Sequence, residues 1–155
     1  MNLLIAGALA GMAATAPMTL AMKMMHRRLP THERYPLPPR LITEKATEEA
    51  GVAGHLNETE LKRLTLVAHF SYGAAAGALY APLAKRIGLP TVASGALYGL
   101  TIWAGSYLGL LPAAGILRPA TEHPVRRTAL MIAAHVVWGA TAGALIGRNR
   151  NSRRR

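Results

Sequence analysis

The chain contains no cysteine, which excludes disulfides, Cys-ligated zinc, iron–sulfur clusters and thiol catalysis. It also lacks aspartate, so its seven acidic residues are all glutamates. None of these lies inside a long apolar run, and no carboxylate is available there for general acid–base chemistry or an ion relay. No His-Glu-x-x-His, phosphate loop or nucleophile motif occurs. Neither an enzyme nor a resident cofactor or metal is expected.

The hydrophobic share is 51%, yet 18 Lys and Arg give a net charge of +11. These two properties are segregated: long uncharged apolar runs alternate with short basic ones, which is the pattern of a polytopic membrane protein. The expected partner of the basic flanks is a bilayer with anionic head groups. Nucleic acid is not expected, because no aromatic-basic reading surface is present.

The fold expected is all-α: one integral membrane domain over residues 1–155 with four transmembrane helices. The first apolar run, from Leu3, has only Met1 and Asn2 before it and its charges after it, so it reads as a retained helix and not a signal peptide. Spans are predicted near residues 3–25, 60–84, 91–111 and 125–147, with a polar loop at 26–59 and a basic tail at 148–155. Pro17 should kink the first span. Asn57, with Glu60 three residues on, marks the start of the second. Pro112 should stop the third, with room for a re-entrant tail after it. Within the polar loop, Arg40 to Ala50 reads as a short surface helix ended by Gly51. The tail holds five Arg and is expected to be disordered or to lie on head groups.

Self-similarity is the most informative feature. Residues 68–79 align with residues 134–145 at eight of twelve identical positions, including His69/His135, Gly73/Gly139 and Gly77/Gly143. A weaker echo joins Gly7 and Gly11 to Gly95 and Gly99. The alignment predicts two repeated hairpins related by a pseudo-two-fold axis along the membrane normal. Gly7/Gly11, Gly73/Gly77, Gly95/Gly99, Gly105/Gly109 and Gly139/Gly143 are each spaced by four and predict flat helix faces for close packing. Any face left over would suit a homo-oligomer or a membrane partner. Eleven Lys and Arg fall in the loops after the first and third spans and seven on the other side. The positive-inside rule then places loops 26–59 and 118–127 in the cytoplasm.

His69 and His135 are the candidate functional residues, since a polar ring within an apolar span should face the bundle interior. Three readings stay open. Each ring could be structural, bonded to a carbonyl, to a hydroxyl such as Thr65 or Thr128, or to the other ring. The pair could line a transport or channel path, since His titrates near neutral pH. It could also grip a haem from both sides. The pairs His32-Glu33 and Glu122-His123 read as solvated loop residues.

The stretch His69-Phe70-Ser71-Tyr72-Gly73 with Gly77 and Tyr80, the opening helix with Ala16-Pro17-Met18, and the Pro-rich basic loop after it resemble the YagU-like family of bacterial inner-membrane proteins. The resemblance implies a multi-pass bacterial inner-membrane protein, an accessory component with a link to survival in acid. It brings no catalytic residues.

Overall fold

A computed structural model describes residues 2–152, with side chains to residue 148. Met1 and residues 153–155, which include the last three arginines of the tail, lie outside the described residues. The described chain is helical, without a strand. Its order is α1 (Leu3–His26), α2 (Pro38–Glu49), α3 (Glu58–Arg86), α4 (Thr91–Ala104), a π-helical turn (Gly105–Leu110), α5 (Leu111–Ala113) and α6 (Val125–Ser152). Two stretches, Leu3–His26 and Val125–Arg148, are long and apolar enough to cross a membrane. Each has 24 residues, a rise of about 36 Å against a hydrocarbon core of about 30 Å.

Local chemistry sets the helix ends. The side chain of Asn57 accepts from the backbone N–H groups of Thr59 and Glu60, and Glu60 returns a bond to Asn57 N–H at 2.8 Å. This capping box starts α3. Helix α2 starts two residues earlier than the sequence suggested. Pro38 and Pro39 occupy its first turn, where a missing N–H costs nothing. Gly51, at φ 70°, follows its end.

Two expectations are corrected. The helix after Thr91 does not stop before Pro112. The π turn precedes the proline, which then sits in the first turn of α5, a position that needs no N–H. No re-entrant helix follows; the chain turns at Gly115 (φ 65°). Of the basic tail, residues 148–152 continue α6 and so are not disordered.

Helices α1 and α3 pack antiparallel through small residues, as do α4 and α6. A Cβ at Gly11 would stand 2.8 Å from Gly77 Cα, and one at Gly139 would stand 2.8 Å from the Gly95 carbonyl carbon. Carbon atoms pack at about 3.5–4.0 Å, so only glycine fits. Gly7 faces Gly77 and Ala81, Gly73 faces Thr15, Gly99 lies under the His135 carbonyl, and Gly143 meets Thr91. Gly105 and Gly109, by contrast, face open space, so the spacing of four makes no packing face there. Helices α1 and α6 join the two pairs, with the Trp138 indole N–H donating to the Gly11 carbonyl at 3.0 Å. The buried stripe Ala14, Met18 and Met22 of α1 meets Leu130, Met131, Ala134 and Trp138 of α6 in the core. On the outer side of this row, α3 and α4 touch through stacked Tyr80 and Tyr98, whose ring centroids are 5.0 Å apart.

Helix α2 is tied to the start of α3 by Arg40, which binds Glu44 and forms a two-pronged pair with Glu58 at 2.8 Å per bond. Hydrogen bonds from the Arg40 guanidinium, and then from Lys62, hold the Glu58 carboxylate down at about 2, against an ordinary value of 4.5.

Gly77→Val and Gly139→Val should each destabilise the protein by about 2–3 kcal/mol in thermal unfolding, the scale of overpacking, whereas Gly105→Ala should not. Glu58 should titrate near 2 by carboxyl NMR, and Arg40→Gln should return it toward the ordinary carboxylate range. Because the folded value is depressed, the tie is complete above about 4.5 and fades as pH falls through about 2. The groups are exposed, so amide exchange in α2 should report the loss and global stability hardly at all.

Candidate functional site: a histidine-lined cavity

Past Ala76 and Tyr80, toward the start of α3, helices α3 and α4 diverge. Between them lies a cavity of about 480 Å³. Its floor is α1 (Thr15, Met18, Met22) and α6 (Met131, His135, Trp138). Its walls are α3 (Ala68, His69, Tyr72, Gly73, Ala76) and the end of α4 with the π turn and α5 (Ile102, Ser106, Tyr107, Leu110, Leu111). Pro38, Pro39, Ile42 and Thr43 of α2 stand at one end. No Asp, Glu, Lys or Arg is among the residues that line it.

Both histidines read from the sequence face this one cavity, and His135 stands ten residues into α6, about 15 Å along its axis. Their surroundings differ. His135 is buried and edge-on to Tyr107, with ring centroids 5.8 Å apart. Its Nδ1 is 2.7 Å from the Met131 carbonyl. A carbonyl only accepts, so Nδ1 carries the proton and the neutral ring keeps a lone pair at Nε2. His69 is half-buried, and its Nε2 is buried without a hydrogen-bond partner. Thr65 and Thr128, expected as hydroxyl partners, bond instead to the Leu61 and Ala120 carbonyls. Thr65 reaches the carbonyl four residues back in its own helix more readily than a side chain on another helix, and Thr128, in the first turn of α6, ties that helix to the turn at Ala120.

A second structured region lies beyond Tyr107. The Arg127 guanidinium is buried and donates to the carbonyls of Glu33, Tyr35 and Pro36 at 2.8, 2.9 and 3.0 Å. It also lies over the Tyr35 ring, 3.4 Å from its centroid. The Tyr35 hydroxyl bonds to His123 Nδ1 at 2.8 Å, His123 Nε2–H donates to the Arg118 carbonyl, and His26 Nε2–H donates to the Tyr35 carbonyl. The loops holding His32-Glu33 and Glu122-His123 are therefore not simply solvated: Glu33 is buried and His123 is held at both ring nitrogens. Both loops fold alike, each as a proline-capped single turn with the Glu33 or Glu122 N–H donating to the Pro30 or Pro119 carbonyl at 2.9 Å.

Sequence reasoning singled out the two histidines and missed Tyr107, Trp138, Tyr35 and Arg127. Arg127 was counted with the loop charges. The signal that could have found it is its place three residues after Pro124, on the buried stripe that continues through Leu130, Met131, Ala134 and Trp138. Among the described residues no group of three or more His, Cys or acidic side chains is placed to hold a metal ion.

Arg127→Leu leaves three carbonyls without their donor and should cost about 3 kcal/mol. Arg127→Lys should recover less than half of that, because one ammonium on a flexible stem cannot span the same three oxygens while stacking on Tyr35. Thermal unfolding and faster proteolysis within residues 27–37 would report both effects.

No curated protein and no solved structure matches the chain. The family model described as a protein of unknown function, DUF1440, matches residues 24–144, which takes in the polar loop, α2, α3, α4, the π turn and α6 as far as Ala144. With that stretch matched over most of its length, the chain belongs to the DUF1440 family.

Proposed function

We propose that this chain is a four-span protein of the bacterial inner membrane whose role is not catalytic but is to hold a small molecule in the cavity between α3 and α4, as a binding component or carrier. The cavity carries this reading. It opens between exposed Tyr72 and Leu110, its wall is largely apolar, and its size falls in the range of small-molecule pockets, about 300–1,000 Å³.

Several observations support the membrane arrangement. Large apolar side chains point outward along α1 and α3, among them Leu4, Ile5, Leu9, Leu20, Val67 and Leu79, where a water-soluble bundle would carry charge. At 29 residues, α3 is long enough to cross, and α4 continues through the π turn into α5 to similar effect. The resemblance to YagU-like proteins agrees with an inner-membrane place, and the charge bias favours cytoplasmic loops at 26–59 and 118–127. The two glycine-packed pairs, α1 with α3 and α4 with α6, and the matching turns at Pro30 and Pro119 agree with a duplicated hairpin.

The cavity features favour binding over the other readings of the histidines. A purely structural pair would be fully bonded, yet His69 Nε2 has no partner. A through-path would continue past Ala76, where Tyr80 and Tyr98 stack instead. A haem would bring carboxylates, and the wall offers no cation to meet them.

Single cysteines are clean probes in a chain without native ones. Gly54→Cys and Thr121→Cys should label from one side of sealed vesicles and Gly88→Cys from the other. Labelling of Thr121→Cys and Gly88→Cys from the same side would refute four spans. Solvent extraction of purified protein should release one small molecule in near-stoichiometric amount, lost in Ala68→Trp, which fills the cavity. A colourless preparation would agree, whereas a Soret band that disappears in His135→Ala would replace this reading with haem binding.

A further inference from the structure

The cavity wall specifies the chemistry of its occupant. With no charged side chain lining it, an ionic ligand would give up its hydration and meet no counter-charge. Met18, Met22 and Met131 supply adaptable apolar surface. Tyr72, Tyr107 and Trp138 supply aromatic faces and edges, against which another ring packs better than a flexible chain. The hydroxyls of Tyr72, Ser106 and Tyr107 belong to residues of the wall and can donate or accept; the other polar groups are more restricted. The Trp138 N–H is spent on the Gly11 carbonyl, and the Thr15 hydroxyl donates to the same carbonyl at 2.9 Å. His135 has used its N–H on the Met131 carbonyl, so what the neutral ring has left is an acceptor at Nε2. His69 lines the same space, but its unpartnered Nε2 is buried within the wall and is not presented to the ligand. An acceptor in an apolar wall calls for an uncharged donor on the ligand, of which a hydroxyl is the simplest.

On the cavity-binding reading above, we propose that the ligand is a neutral, lipid-soluble ring compound bearing a hydroxyl, of the phenol or quinol type. Its hydroxyl donates to His135 Nε2 and its apolar body lies among the methionines. Such a molecule reaches the cavity from the bilayer, and the α2 end, with Pro38, Ile42 and Thr43, closes over it from the polar side.

The test uses the full chain in nanodiscs and three probes that share one ring system: naphthalene, naphthol and naphthoate. Equilibrium dialysis against empty nanodiscs removes simple partitioning into lipid. Naphthol should bind saturably, and about tenfold more tightly than either naphthalene or naphthoate, the scale of one buried hydrogen bond. His135→Leu should reduce naphthol to the affinity of naphthalene and leave naphthalene unchanged. His135→Gln, which keeps an acceptor, should retain most of the preference. If His135→Leu loses naphthalene as well, its cavity has collapsed and the glutamine variant decides, with loss of the preference there overturning the assignment. Naphthoate binding as tightly as naphthol, or naphthalene binding as tightly as naphthol, overturns the neutral-hydroxyl inference and leaves a binding cavity, in the second case one suited to a plain acyl chain. Failure of all three probes to saturate overturns the cavity reading itself.

Discussion

Backbone-to-backbone contact at glycine is the constraint on which the rest of this structure depends. Gly7 and Gly11 meet Gly77 and Gly73 across α1 and α3; Gly95 and Gly99 meet Gly139, Gly143 and the His135 carbonyl across α4 and α6. Side chains could adjust to a shifted neighbour, but backbones this close fix both the register and the rotation of each pair. Rotation in turn decides which residues face inward. With Gly99 beneath the His135 carbonyl, the imidazole is directed toward the cavity. With Gly11 against α3, its carbonyl also receives the Trp138 indole N–H from α6. One glycine therefore takes part in both the packing of a pair and the joining of the pairs.

The two pairs are alike, but their junction is not. On one side α1 and α6 lie together along a continuous apolar core. On the other, α3 and α4 meet at Tyr80 and Tyr98 and then separate. If the hairpins are duplicates, as we propose, the α3–α4 junction is the counterpart of the α1–α6 junction, and the cavity occupies the contact that one side makes and the other does not. The π turn belongs to the same departure. It carries Tyr107 and Leu110 into the cavity wall and lets the chain pass Pro112 without breaking.

At the polar end, Arg127 performs the work that glycine performs within the helices. Its planar guanidinium gathers three carbonyls of the Glu33–Pro36 segment, which no longer need water, and stacks on Tyr35. That segment leads directly into α2, so the position of the helix that closes the cavity follows from one buried side chain on α6. The alternative anchor, the Arg40 pair with Glu58, is exposed and weaker for that reason.

The sequence by itself determined where the helices lie, because the determinants are local: uncharged runs, the Asn57–Glu60 capping box, prolines at helix starts and Gly51 after α2. It also indicated the glycine faces and singled out His69 and His135, since a spacing of four and a polar residue in an apolar run are visible in one dimension. It could not separate the glycines that meet a neighbour from Gly105 and Gly109, which meet none, because spacing describes one helix and contact needs two. Nor could it find Arg127, whose partners are carbonyls more than ninety residues away, or distinguish two histidines at matching positions. Only the tertiary structure decided that His135 bonds to Met131 while His69 Nε2 does not find a partner, and that a cavity lies between them. The physical reason is that an imbalance between two helix–helix junctions created that space, and such an imbalance belongs to no single segment.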